Sequence, residues 1–172
     1  MERERLKEPD VEQLSDYDKG RRRYQEWADR MKSGALHIPA TKRDYQKTRQ
    51  GYIRYFLNAL FTDTALSTWA VFEQLIKSQS GRHNHQGGII IYVLEGVGYS
   101  MVDGERKDWK KGDLILLPMK PEGVVHQHFN LLPPDQPALW VAFLHIPLME
   151  HLASELKQEE PSPEYVEQQN AR

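Results

Sequence analysis

GRHNHQGGIIIYVLEGVGYSMVDGERKDWKKGDLILLPMKPEGVVHQHFN, residues Gly81 to Asn130, is the stretch whose reading decides the fold. It holds four of the seven histidines, arranged as two His-x-His pairs. His83 and His85 flank Asn84, and His126 and His128 flank Gln127. In a strand, side chains at i and i+2 leave from the same face, so each pair can turn two imidazoles toward one point. Two such strands side by side would make a pocket lined by ring nitrogens, and neutral imidazole is a common metal ligand.

Turn signals punctuate the stretch and its surroundings at Ser80-Gly81, Gly87-Gly88, Glu95-Gly96, Asp103-Gly104 and Lys111-Gly112-Asp113. Between them lie short β-rich runs: Ile89–Leu94, Val97–Val102, Leu114–Leu117, Val124–Phe129 and Leu139–Ile146. Short strands recurring about every ten residues predict an antiparallel sandwich or small barrel. Pro118, Pro121, Pro133, Pro134 and Pro137 fall between the runs, where a missing backbone donor does no harm.

Upstream, Met1–Leu14 is densely charged and predicted to be disordered. Tyr17, Tyr24, Trp27, Ala28 and Met31 recur near a 3.6 period, which predicts a helix from Asp16 to Met31 ended by Lys32-Ser33-Gly34. The Arg21–Arg23 run reads as the solvated side of that helix rather than as a nucleic-acid contact, since acidic residues surround it. Residues 35–50 read as a loop with a short helix, Tyr52–Leu60 as an edge strand or arm, and Ala65–Lys77 as a strand, with a helix as the alternative. Downstream, Leu148–Leu156 reads as one helix and the tail after Glu159 as disordered. The divisions are therefore 1–50 for an N-terminal helical and partly disordered extension, 51–148 for a barrel, and 149–172 for a C-terminal helix and tail.

A net charge of −2 gives no global case for nucleic acid. The absence of cysteine excludes disulfides and thiolate metal sites among these residues. No apolar run approaches membrane-spanning length and the N-terminus lacks a leader's apolar segment, so a cytoplasmic protein is the expectation.

The quoted stretch resembles the two motifs of the cupin superfamily. The first is a glycine-led His-x-His followed by an apolar strand closing in Glu-Gly-x-Gly, here GRHNH and then IIIYVLEGVG. The second runs from Gly112 through Pro118 and Gly123 to His126 and Asn130. The resemblance implies an all-β fold, a cupin jelly-roll barrel with an N-terminal helical extension and a short C-terminal helix. It also implies a metal held by His83, His85 and His126. Many cupins add a glutamate ligand shortly after His-x-His, where this sequence has Ile89 and Ile90. The remaining three-histidine set resembles the gentisate and hydroxynaphthoate dioxygenases.

That resemblance implies a dioxygenase in which Fe(II), with Mn, Ni, Cu or Zn as other occupants of an imidazole site, supports insertion of O2 into a small oxygenated substrate with C–C cleavage. The isoleucine-rich lining favours a substrate smaller or more apolar than gentisate. A Lewis-acid isomerase or lyase and a non-catalytic binding module are the alternatives. His128, on the face of His126, is assigned a supporting or acid–base role, and Gln86 a contact to substrate or ligand. Trp69, Phe72, Trp140 and Phe143 read as core, His145 as structural, and His37 and His151 as surface residues. The expected partners are the substrate, O2 and a second copy of the chain, with Tyr52–Phe61 covering the neighbour's sheet edge.

Overall fold

The computed structural model describes residues 13–171. The expectation of disorder for Met1–Leu14 falls almost entirely outside them. Eleven strands form two antiparallel sheets, with a helix before them and two short helices near the end of the chain.

Helix α1 spans Asp16–Ser33. Ser15 caps it by accepting from the Asp18 N–H, Asp16 and Asp18 sit in the first turn, and Arg30 and Lys32 sit in the last, all favourable to the helix dipole. None of its residues is buried. Its aromatic stripe of Tyr17, Tyr24 and Trp27 faces solvent, and Arg30 ties its last turn to the carbonyls of Phe61 and Thr64. A 3-10 turn at Ala40–Lys42 then leads into the sheets.

The strands are β1 (Gln46–Thr48), β2 (Gly51–Leu57), β3 (Trp69–Ile76), β4 (Arg82–His85), β5 (Ile89–Glu95), β6 (Val97–Val102), β7 (Glu105–Lys110), β8 (Leu114–Leu117), β9 (Val124–Asn130), β10 (Ala138–His145) and β11 (Lys157–Glu160). Sheet order is β1-β2-β3-β10-β5-β8 in one layer and β11-β4-β9-β6-β7 in the other. From β4 to β10 the chain passes repeatedly between layers, so most neighbours in sequence, all but β6 and β7, end up on facing sheets. The core lies between them, built from inward residues such as Ile53, Ile76, Ile91, Val93 and Ala142 on one side and Trp109 and Val124 on the other. The expected all-β architecture, with a helix before it and a short helix after it, is what the chain adopts.

Four sequence expectations are corrected. Tyr52–Phe61 is not a free arm, because β2 is hydrogen-bonded to β1 on one side and β3 on the other. The residues after Glu159 are ordered. β11 pairs with β4, and α3 (Pro163–Asn170) begins at a Ser162 cap whose side chain accepts from the Tyr165 N–H. Leu148–Leu156 is not one helix, since α2 covers Ile146–His151 and a turn follows. The run Glu105–Lys110, absent from the expected strands, is β7. The Asp103-Gly104 turn, with φ of 50° and 82°, folds it back on β6 as a hairpin.

The outer face of the larger sheet is unusual for a surface. Ile90 pairs with Leu116 and Tyr92 with Leu114 across β5 and β8, and Phe143 and Val141 pair with Ile90 and Tyr92 from β10. Cross-strand partners share a face, so these six side chains form one uncharged patch, with Leu116 62% and Leu114 57% exposed.

Candidate metal centre

β4 and β9 are neighbours, and their register sets His83 directly opposite His126. The i, i+2 geometry adds His85 and His128 to the same inward face. All four imidazoles are buried, none more than 5% exposed. The rings of His83 and His126 lie 4.1 Å apart, those of His85 and His126 4.8 Å, and those of His83 and His85 5.6 Å. One ring nitrogen from each of His83, His85 and His126 lies within 4.8 Å of the others. His128 stands apart from that set, with its ring 5.5 Å from His126 and 5.2 Å from Trp140.

The turn after β4 is what brings the first pair into position. Gly87 and Gly88 both have positive φ, and a side chain on Gly87 would lie 1.9 Å from the Pro118 carbonyl oxygen. Only glycine allows the chain to reverse there and cross into the other sheet as β5. β9 is pinned by Ser80, whose Oγ accepts from the His128 N–H at 2.9 Å and whose N–H donates to the His128 carbonyl at 2.8 Å.

Burial keeps the rings uncharged. Desolvation, aided by His126, pushes His83 down to about 3. Desolvation aided by His83 pushes His85 to about 4, and desolvation aided by His85 pushes His126 to about 4. His128 lies well below the ordinary range for the same reason, with the other three imidazoles adding to the effect. Neutral rings have a free lone pair, which is what a metal needs. His83 and His126 each place Nδ1 against a backbone carbonyl, of Gly81 at 3.2 Å and Val124 at 2.9 Å, which leaves Nε2 unprotonated. His85 differs. Its Nδ1 accepts from the Gly87 N–H at 3.0 Å, so the proton sits on Nε2 and the ring takes up a metal only by rearranging.

The four rings open on a cavity of about 260 Å³. Tyr55, Phe72, Ile91, Trp140 and Leu144 supply apolar walls, and Ile146, Met149 and Leu156 add to the apolar lining. No Arg, Lys, Asp or Glu among the described residues lines it. Ile89, one of the two positions where many cupins carry a glutamate, faces the cavity, while Ile90 is on the outer face. Three converging neutral imidazoles with no carboxylate fit a divalent transition metal and leave open positions for other ligands.

Gln86 does not line the cavity. Its side-chain carbonyl accepts from the Glu155 N–H at 3.1 Å, so it tethers the segment after α2. Phe72 and Trp140, read as core, also form cavity wall, whereas Phe143 points outward and His145 packs on Trp69 at 5.1 Å. Sequence reasoning missed Ser100, which touches His128 from behind, and Trp109, which donates to Ser100. It also missed that the segment 146–156 lines the cavity. The only signal for the first was the alternation of β6 and β7 around the Asp103-Gly104 turn.

Residues 72–143 match the family model of the cupin domain. An acireductone dioxygenase from Phaeosphaeria nodorum is 39% identical over 62 residues, which are 33% of this chain and 34% of that one. A gentisate 1,2-dioxygenase from Ralstonia sp is 35% identical over 71 residues, 41% of this chain and 19% of that one. The chain thus aligns with about a third and a fifth of the lengths of these relatives. Among solved structures, the polyketide cyclase RemF from Streptomyces resistomycificus superposes with a TM-score of 0.54 at 17% identity. That superposition covers 79% of this chain and 93% of RemF, a likeness of fold.

Proposed function

We propose, with residues 72–143 a cupin domain that resembles dioxygenase cupins, that this protein is a metal-dependent dioxygenase. His83, His85 and His126 would hold the metal, Fe(II) by preference. The substrate is a small molecule that chelates through two oxygens on neighbouring or 1,3-related carbons, and both atoms of O2 enter it with C–C cleavage. The observation that carries this reading is the meeting of three buried, uncharged imidazoles in a cavity with no other charged group.

A ferrous ion bound there supplies a Lewis-acidic, redox-active centre that accepts anionic oxygens and O2 together. The chain's own residues do the rest. Neutral ligands leave the cation's charge to a bound enolate or phenolate. Phe72, Ile91, Trp140 and Leu144 exclude water and favour an apolar substrate body. His128 serves the substrate from beside the ligands. Because no Arg or Lys lines the cavity, a free carboxylate would be buried without a counter-ion, a costly arrangement. The substrate class is therefore an enediol, hydroxyketone or β-diketone, or a catechol-like diol, without a carboxylate. Gln86 acts indirectly, by holding the segment that lines the cavity.

A second copy of the chain is the expected partner, seated on the outer face of β10, β5 and β8. The patch of Ile90, Tyr92, Leu114, Leu116, Val141 and Phe143 on that face carries no charge to be stranded by meeting itself, and its exposed apolar area is on the order of several hundred Å².

The test is metal analysis of protein purified without chelator or affinity histidines. O2 uptake after anaerobic Fe(II) loading would then be followed against β-diketones, diols and carboxylated diols. Near-stoichiometric iron with uptake confined to uncarboxylated substrates is the expected result. Metal without uptake would turn the reading toward Lewis-acid chemistry, and failure to hold metal after loading would end both enzyme readings.

A further inference from the structure

Behind the cavity, Ser100 of β6 stands directly opposite His128 of β9, and their side chains meet at 2.6 Å, Oγ to Nδ1. On its other side β6 pairs with β7, where Trp109 faces Gly98. An ideal Cβ on Gly98 would lie 2.3 Å from the Trp109 ring, so glycine is what lets the indole lie across β6. From there the Trp109 Nε1–H donates to the same Ser100 Oγ at 2.9 Å. Ser100 and His128 are 0% and 1% exposed and Trp109 3%, so solvent does not reach this chain of contacts.

Counting hydrogens leaves one arrangement. An indole N–H can only donate, so it occupies an acceptor position on Ser100 Oγ. If His128 carried a proton on Nδ1, Ser100 would accept from both neighbours. Its own hydroxyl hydrogen would then have no acceptor in a buried site, since Ser100 Oγ has no other partner among the described residues. An imidazolium would leave the same orphan. With Ser100 donating to Nδ1, every group is satisfied, and the single proton of the neutral ring is on Nε2. That nitrogen has no partner among the described residues, and the ring lines the cavity.

We infer that Trp109 and Ser100 are positioning residues that hold His128 as the Nε2–H tautomer, a fixed hydrogen-bond donor into the cavity rather than a proton acceptor. The inference deepens the proposed function by giving His128 one task, donation to an anionic oxygen of the bound substrate.

The experiment is long-range 1H–15N correlation of histidine side chains in metal-free, 15N-labelled protein near neutral pH. Wild type should show His128 with the proton on Nε2 and an acceptor-type Nδ1. Ser100→Ala should release the lock and populate the Nδ1–H tautomer, and Trp109→Phe should do so less. A wild-type ring protonated on Nδ1 overturns the inference by itself, whether or not the variants fold. So does a folded Ser100→Ala protein whose His128 tautomer is unchanged. In the loaded enzyme, His128→Gln places an amide N–H near the Nε2 position and should keep turnover within about tenfold. His128→Leu should lose about 100-fold with metal content intact. Equal loss in Gln and Leu variants would overturn the donor role. Failure of O2 uptake on every substrate would defeat the dioxygenase reading and leave the tautomer assignment standing, so the two failures are distinguishable.

Discussion

Mild acid should destabilise the metal-free protein, and the effect should come from the histidine pocket. In the unfolded chain these imidazoles titrate near 6.5, whereas in the fold His83 is pushed down to about 3 and His85 and His126 to about 4. His128 lies lower than its ordinary value as well. Between pH 6.5 and about 4 the unfolded state therefore binds more protons than the native state, so stability falls as pH falls. At pH 5.5 each of His83, His85 and His126 contributes a loss of about 1.4 kcal/mol, together about 4 kcal/mol, and His128 adds to it in the same direction. That is a large part of the ~5–15 kcal/mol that holds a typical domain together. The carboxylates held low by hydrogen bonds from cations, Asp63 by Arg43 and Lys42 and Asp103 by Lys120, act near and below about pH 4, outside most of this window. Urea titrations at pH 7.5 and 5.5, followed by tryptophan fluorescence and far-UV circular dichroism, measure the difference. A bound metal, which binds only the deprotonated native pocket, should restore most of the loss. A metal-free protein losing less than about 1 kcal/mol between the two pH values would mean that the rings accept protons without unfolding. The pocket would then be wet, and the argument from burial would fail.

Replacing His83 or His126 by alanine should abolish metal binding while the circular dichroism spectrum stays native, because the strands rest on their apolar faces. Wild-type metal content by mass spectrometry in either variant would contradict the ligand assignment. Gly98→Ala should cost about 1–3 kcal/mol, since its Cβ meets the Phe129 carbonyl oxygen at 2.1 Å as well as the Trp109 ring. Calorimetry should show a fall of about 2–4 °C per kcal/mol, and an unchanged melting temperature would rule out this packing. Leu116→Lys should convert a dimer into a folded monomer by light scattering. A dimer that survives the substitution is seated elsewhere.

The sequence exposed the metal pocket more readily than its supports, for physical reasons. His-x-His is legible because strand parity forces its two rings onto one face, and Gly87-Gly88 and Asp103-Gly104 are legible because positive φ selects glycine and its neighbours. β7 was hidden because it is an edge strand of a solvated sheet. Of Glu105–Lys110 only Trp109 is buried, so hydrophobic periodicity had one residue to work with. β11 was hidden for the same reason, its residues being polar and mostly exposed. The Ser162-Pro163 helix start was readable as a cap with proline in the first turn, but the polar composition around it outweighed that signal. The tautomer of His128 depends on three residues from three strands, and no local pattern encodes it.

The pairing of β11 with β4 also bears on how the protein is made. Lys157, Gln158 and Glu160 lie against Asn84, His83 and Arg82, so the strand that carries two of the candidate ligands has its outer edge closed by residues near the far end of the chain. During synthesis β4 emerges early, and it remains an open edge through the making of β5 to β10. Such non-local pairings form late and leave strands free to associate wrongly in the interval. The ligand strand would thus be the last piece of its sheet to be sealed. A chain interrupted before residue 157 would present His83 and His85 on an unprotected border, and the nascent protein would be safest from premature metal capture or edge-to-edge association once β11 had left the ribosome.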